Sequence, residues 1–189
     1  RGDAARAARQ WQGECYSFTE IDFKDDELVV DAVFGTGLAR PLAEPVATLF
    51  DRIRHNGCQI IAVDIPSGID STSGDTDPHT LTATRTITFC RKKLGHVLLP
   101  GRQYCGVVEV ADIGIPDSSV LQAGFTAREN SPDLWGGAIT AKEADKHKYD
   151  YGHAIILGGA RMTGAACLAA HAAMRAGAGL CTIVADAAV

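Results

Sequence analysis

An apolar run that carries one carboxylate and feeds straight into a glycine-punctuated turn, LVVDAVFGTGLARP at residues 28–41, constrains this chain more than any other stretch. Residues 28–34 have the near-continuous hydrophobic character of a strand buried on both faces of a parallel sheet. Gly35 and Gly37 let the backbone turn sharply and come close to a ligand. Asp31 is the anomaly, because a carboxylate in such a strand is costly unless a cation or several donors meet it. It reads as a site residue; an aspartate at a solvated strand end, accepting backbone N–H bonds, is the bland alternative.

Downstream, Val46, Leu49, Phe50 and Ile53 form an apolar stripe at helical spacing within residues 44–56, with Gly57 as a stop. QIIAVD at residues 59–64 is the next buried strand. Strand, glycine turn, helix, strand is a βαβ unit, whose right-handed crossover makes the strands parallel. Both strands then end at one edge of the sheet, where α/β proteins bind ligands. That edge presents Gly35-Thr36-Gly37 and Asp64-Ile65-Pro66-Ser67-Gly68 together.

The remaining segments frame this unit. DAARAARQW at residues 3–11 reads as a helix with Asp3 as N-cap, and residues 22–27 as an acidic, solvated approach to the first strand. Residues 71–80 read as loop, and 85–89 and 107–113 as strands. Between those strands, Arg91, Lys92, Lys93 and His96 read as a solvated basic loop in preference to a phosphate site. Residues 115–135 lack a sustained period, which places a boundary there: a first domain over 1–116, a linker over 117–134 and a second domain over 135–189. A second βαβ pattern follows, with HAIIL at 153–157, a glycine turn at 158–164, an alanine-rich helix at 165–176 and a strand at 180–185. Ala166, Ala169, Ala170 and Ala173 permit close approach of that helix to its strands, and the turn at its N-terminus reads as an anion or nucleotide site.

A formal net charge of −5 offers no electrostatic footprint for nucleic acid, so a small-molecule partner is expected. No apolar run approaches the roughly 20 residues of a membrane span, and nothing at the start resembles a signal peptide, so no membrane is expected and the default compartment is the cytoplasm. The six cysteines are scattered without a CxxC pair and read as reduced, mostly buried thiols, with a disulfide scaffold or a zinc site as the lesser readings.

Five stretches together carry a family resemblance: VDAVFGTGLARP (30–41), AVDIPSGID (62–70), GHVLLPG (95–101), VVEVADIGIP (107–116) and GHAIILGGARMTGAACLAAHAAMRAGAGL (152–180). In this order and spacing the chain resembles the bifunctional NAD(P)H-hydrate repair enzymes. The resemblance implies an α/β chain: part of a Rossmann-like, three-layer parallel-sheet NAD(P)HX epimerase domain, followed by the start of a ribokinase-like, ADP-dependent (S)-NAD(P)H-hydrate dehydratase domain.

It also implies residue roles. Asp31 and Ser67 correspond to ligands of a potassium ion, Gly35, Thr36, Gly37, Leu38, Ala39, Arg40 and Pro41 to the hydrate-binding loop, and Asp64 to a substrate-binding carboxylate. Asp64 is the candidate general acid or base for epimerising NADHX or NADPHX, with Asp31 as a neighbour kept ionised by potassium; in the rival account both aspartates only orient ligand and metal. Ala165 matches a substrate-contacting position of the dehydratase half, whose ADP and Mg2+ ligands are expected mostly outside these residues. The chain opens on Arg1 rather than Met, and it is expected to be an excerpt in which neither site is complete. A GNNGGDG-like turn of the family's epimerases, supplying a further potassium ligand, is not among its residues. Self-association is left open.

Three rivals stand beside this reading. A Rossmann dehydrogenase is disfavoured because residues 35–40 lack the third glycine of GxGxxG. A ribokinase-like small-molecule kinase shares the second βαβ pattern, and a non-enzymatic nucleotide-binding module shares the first.

Overall fold

The computed structural model describes residues 2–21, 27–38, 40–139, 141–159, 161 and 163–186. Ala39 of the expected loop, Ala160 and Met162 of the second glycine turn, and most of the acidic approach (22–26) lie outside the described residues. The chain divides into two compact units, residues 1–129 and 130–189.

In the first unit the elements are α1 (Asp3–Gln10), β1 (Leu28–Asp31), α2 (Glu44–Asn56), β2 (Gln59–Val63), β3 (Arg85–Phe89), β4 (Val107–Ala111) and α3 (Asp117–Gln122). The strands form one sheet in the order β1-β2-β3-β4, every pair parallel. Asp31 pairs in register with Ala62 and Val63 with Ile87, so β1, β2 and β3 deliver their carboxyl ends to a common edge. The expected adjacency of the strands that precede Gly35 and Asp64 is therefore observed.

Helix α2 forms where the apolar stripe predicts. Pro45 occupies its first turn, where a missing N–H costs nothing, and Gly57 ends it in the left-handed region at φ 66° with its amide returned to the Arg54 carbonyl. Val46, Ala47, Leu49, Phe50 and Ile53 are buried against Ile60 and Ala62 of β2. A second cluster gathers Ile65, Ile69 and Cys105 with Tyr104 and Val108.

Several expectations are corrected. Strand β1 stops at Asp31 because the Phe34 amide turns to the Ser67 hydroxyl instead of a ladder partner (2.9 Å). It is also not buried on both faces: it lies at the edge of the described sheet, and Leu28 and Val30 are 55% and 57% exposed while Asp31 is 2%. Alternation along the strands carries Leu28, Val30, Arg85 and Val107 to the face away from α2. There Val107 is exposed and Arg85 pairs with Glu109 across β3 and β4. The described residues thus build two of the three expected layers. Asp3 is the first residue of α1 and not its cap, a position held by Gly2. Of the six cysteines only Cys58 and Cys105 are buried; Cys15 and Cys167 are exposed.

The second unit holds α4 (Pro132–Trp135), β5 (His153–Leu157), α5 (Gly164–Ala176) and β6 (Leu180–Val184), with β5 and β6 parallel. The close helix–strand approach is real: a Cβ placed on Gly158 would lie 3.2 Å from that of Ala166. Ala166, Ala170 and Ala173 line the half-buried side of α5, whereas Ala169, expected among them, is exposed. Among the described residues no helix is long and apolar enough to cross a membrane.

Candidate functional site

The common edge of β1, β2 and β3 gathers the chemistry. Asp64, the residue after β2, has φ 70°, a left-handed conformation that costs a side chain other than glycine about 1–3 kcal/mol and persists only where its surroundings enforce it. Its amide donates to the Ile87 carbonyl (2.7 Å). Its Oδ1 accepts from the Thr88 hydroxyl (3.0 Å) and from the Lys93 ammonium, which also donates to Thr88 Oγ1 (2.7 Å) and to the Phe89 carbonyl (3.2 Å). Oδ2 faces the glycine loop, 3.2 Å from where a Cβ on Gly35 would sit. A side chain at Gly35 would press on this carboxylate, so the first glycine of the loop serves the close approach that the sequence pattern anticipates.

Burial works to raise the Asp64 carboxyl. The hydrogen bond and charge of Lys93, with bonds from the Thr88 hydroxyl and the Thr36 backbone, outweigh it and hold the group below the usual carboxylate range. The side chains of Lys93 and Asp64 are 22% and 18% exposed, enough for a ligand to reach the pair and little enough for the surroundings to sustain their attraction.

Asp31 is answered differently. Its Oδ2 accepts the Ser67 amide (2.7 Å), and its Oδ1 accepts the Ser67 hydroxyl (2.6 Å) and, at 3.4 Å, the Val33 amide. It is neither at a solvated strand end nor in need of a cation to be buried, since hydrogen-bond donors meet it. Ser67, 1% exposed, also stands 3.2 Å from the Phe34 carbonyl. Gly68 follows at φ 102°, and a Cβ there would fall 2.2 Å from Thr80 Oγ1; only glycine fits. The DIPSG turn therefore exists in this shape to bring Ser67 back onto Asp31.

The structure sorts the sequence-based candidates. Asp64, Gly35 and Thr36 come together, the last held also by a bond from Ser71 Oγ to its carbonyl (3.4 Å). Asp31 and Ser67 form a buried pair of their own. Gly37, Arg40 and Pro41 are exposed and Leu38 half-buried, while Ala165 is exposed in the first turn of α5. The expectation that 91–96 is a solvated basic loop fails where it matters: Lys93 is the partner of Asp64, and His96 is buried at 3% exposure. Only Arg91 and Lys92 are exposed, paired with Asp117 and Glu129. The signal for Lys93 lay in β3, where Thr86 and Thr88 occupy inward positions that a purely structural strand fills with apolar residues.

A parallel α/β sheet with a carboxylate–lysine pair opposed to a glycine loop at its carboxyl edge has the Rossmann-like architecture, in which that edge is where ligands bind. Residues 3–95 match the family described as YjeF-related protein N-terminus. The chain is 40% identical over 157 residues to a bifunctional NAD(P)H-hydrate repair enzyme of Moorella thermoacetica, covering 82% of this chain and 30% of that protein. Proteins of the same name from Coxiella burnetii (34% identity, 97% of this chain, 38% of the relative) and Escherichia coli K12 (31%, 96% and 36%) match nearly its whole length. The chain is similar to the bifunctional NAD(P)H-hydrate repair enzymes along most of its own length, and it spans about a third of the length of these relatives.

Proposed function

We propose that the first unit acts in repair of hydrated nicotinamide dinucleotides, interconverting the R and S forms of NADHX or NADPHX at the edge where Asp64 meets Lys93. The observation that carries this reading is the contact of Lys93 with Asp64 against the Gly35–Thr36 loop. Epimerisation at the hydroxyl-bearing ring carbon proceeds by loss and return of water. The ring nitrogen's electron pair forms a C=N bond as the C–O bond breaks, and the departing hydroxyl takes a proton to leave as water. Lys93 is the donor of that proton, and the Asp64 carboxylate faces the positive charge left on the ring. Water then adds to the other face of the planar cation and releases its extra proton to solvent, and the lysine amine takes up a proton from solvent, which restores the pair. Asp64 therefore works as the fixed counter-charge and orients the ammonium, a different division from one in which it exchanges the proton itself.

The Asp31 cluster supplies only oxygen: a carboxylate, the Ser67 hydroxyl and the Phe34 carbonyl. That donor set suits a large hard cation, and we assign Asp31 and Ser67 as the residues that would hold potassium. The ion would supply positive charge beside Phe34, where the chain enters the Gly35–Pro41 loop. For the second unit we carry the family's second activity as a proposal, with β5, α5 and β6 as the opening of an ADP-dependent dehydratase domain using Mg2+ and with Ala165 near its substrate. The supporting feature is the helix start that follows β5.

The experiment is R-to-S conversion followed by chiral chromatography. Lys93→Met and Asp64→Asn should each lower kcat by about 100- to 10,000-fold, and Asp31→Asn should abolish a response to added potassium. A Lys93→Met protein with near wild-type kcat removes this mechanism. Conversion indifferent to potassium removes the cation assignment.

A further inference from the structure

His96 belongs to none of the roles above, yet it touches both members of the pair through their backbones. Its Nδ1 lies 2.9 Å from the Lys93 amide, and its Nε2 lies 2.9 Å from the Asp64 carbonyl oxygen. An amide can only donate and a carbonyl can only accept, so the ring has one assignment that satisfies both: Nδ1 bare, Nε2 protonated, the imidazole neutral. The ring is 3% exposed and both nitrogens are committed, so substrate cannot reach it.

The ring's base is equally fixed. The turn Leu94–His96 returns the His96 amide to the Lys93 carbonyl (3.1 Å), and the Gly95 amide donates to the Ser71 carbonyl (2.9 Å). A Cβ on Gly95 would meet the Asp70 carbonyl oxygen at 2.7 Å, so this turn sits directly on the chain that leaves Asp64. On the other side, the strained Asp64 backbone is held by its amide bond to Ile87. The carbonyl of the same residue has His96 as its partner. The left-handed conformation that aims the carboxylate toward Gly35 is thus clamped from both ends, and one clamp is the residue that also holds the start of the Lys93 turn.

We propose that His96 is a positioning residue: as a neutral imidazole with its proton on Nε2, it joins the Asp64 carbonyl to the Lys93 amide and sets the carboxylate–ammonium geometry at the sheet edge. The role rests on the reading of Asp64 and Lys93 as the working pair.

The test combines magnetic resonance on the chain, labelled with 15N-histidine and 13C-aspartate, with the conversion assay. In the wild type the His96 signals should be those of the neutral Nε2–H tautomer. His96→Phe keeps the ring's bulk and removes both bonds; the Asp64 carboxyl should then titrate higher, toward its ordinary value, as Lys93 loosens. His96→Gln, whose amide can donate to the Asp64 carbonyl, should recover most of that shift. In the conversion assay His96→Phe should lower kcat on the order of 100-fold, the scale of a misplaced catalytic group, with KM changed by about twofold or less. A wild-type Nδ1–H tautomer, or an Asp64 titration that His96→Phe leaves in place, overturns the proposal. If His96→Phe does not fold, the wild-type tautomer and the Asp64 titration in His96→Gln decide it. Resonance results as expected, with Lys93→Met converting as fast as the wild type, would sink the epimerase reading and leave the clamp standing.

Discussion

The first and second units use the same local grammar, strand, glycine turn, helix, parallel strand, and build very different things with it. Helix α2 has a strong apolar stripe and buries Val46, Ala47, Leu49, Phe50 and Ile53. Helix α5, also of 13 residues, is apolar on average and has no buried residue; Leu168 is 74% and Leu157 of β5 81% exposed. A βαβ unit on its own thus supplies a turn at a helix start but neither a core nor a site. The site in the first unit depends on what β2 and β3 bring beside the glycine turn, since Asp64, Thr88 and Lys93 all come from beyond the first crossover. In the second unit no strand lies beside β5 and β6 among the described residues.

The largest expected effect breaks the comparison at the two helices. Phe50→Ala, at a position 2% exposed, should cost about 3–5 kcal/mol in urea unfolding monitored by far-UV circular dichroism. Leu168→Ala, which also truncates a large apolar side chain, should change stability by about 0.5 kcal/mol or less. Equal effects would mean that α5 is covered as α2 is.

The glycines sharpen it next. Gly68→Ala must hold φ 102° and place a methyl 2.2 Å from Thr80 Oγ1, so it should destabilise by about 1–3 kcal/mol and, by shifting Ser67, weaken the Asp31 pair as well. Gly164→Ala, with nothing within 4 Å and an ordinary helical backbone, should leave stability unchanged or raise it by up to about 1 kcal/mol. Thermal unfolding of the two variants side by side reads the difference.

Much of this was legible in the sequence. The α2 stripe, the parallel pairing of β1 with β2, and the convergence of Gly35 with Asp64 all follow from short-range patterns whose physics is local: a helical period, a βαβ crossover, a glycine turn. What escaped depends on contacts far apart in sequence. Lys93 is 29 residues from Asp64, and charge-rich RKK reads as solvated unless the inward threonines of β3 are weighed with it. The satisfaction of Asp31 by Ser67 spans 36 residues, so burial and partner could not both be read from the strand. The edge position of β1 among the described strands escaped for a third reason: an apolar run signals burial but not how many faces are covered, and Leu28 and Val30 are exposed.

The smallest effect concerns acid, and it separates Asp64 and His96 by pH window. Asp64 titrates below its ordinary value of 3.8 because Lys93, Thr88 and the Thr36 backbone outweigh burial. A depressed carboxylate stabilises the fold above its unfolded value, and that contribution is lost as pH falls from there through the folded value. His96 titrates below its ordinary value of 6.5, first because burial disfavours the imidazolium and then because Lys93 and Lys92 repel it, against opposing pulls from the Asp64 carbonyl and carboxylate. The unfolded chain therefore takes up the histidine's proton first, and stability begins to fall as pH drops below about 6.5. Each group contributes at most one proton, a slope of about 1.4 kcal/mol per pH unit within its own window. His96→Gln should flatten unfolding free energy between neutral pH and the carboxylate range while leaving the strongly acid limb in place. Asp64→Asn should leave the change near neutral pH in place and reduce the strongly acid limb, to which Asp51, held low by the His79 hydrogen bond, and Asp70, held low by the Ser73 and Thr72 amides, continue to contribute. Since both groups sit in the first unit, a pH series of urea unfolding should show these changes in the transition that Phe50→Ala also moves, and their appearance in a transition insensitive to Phe50→Ala would place the acid response in the wrong unit.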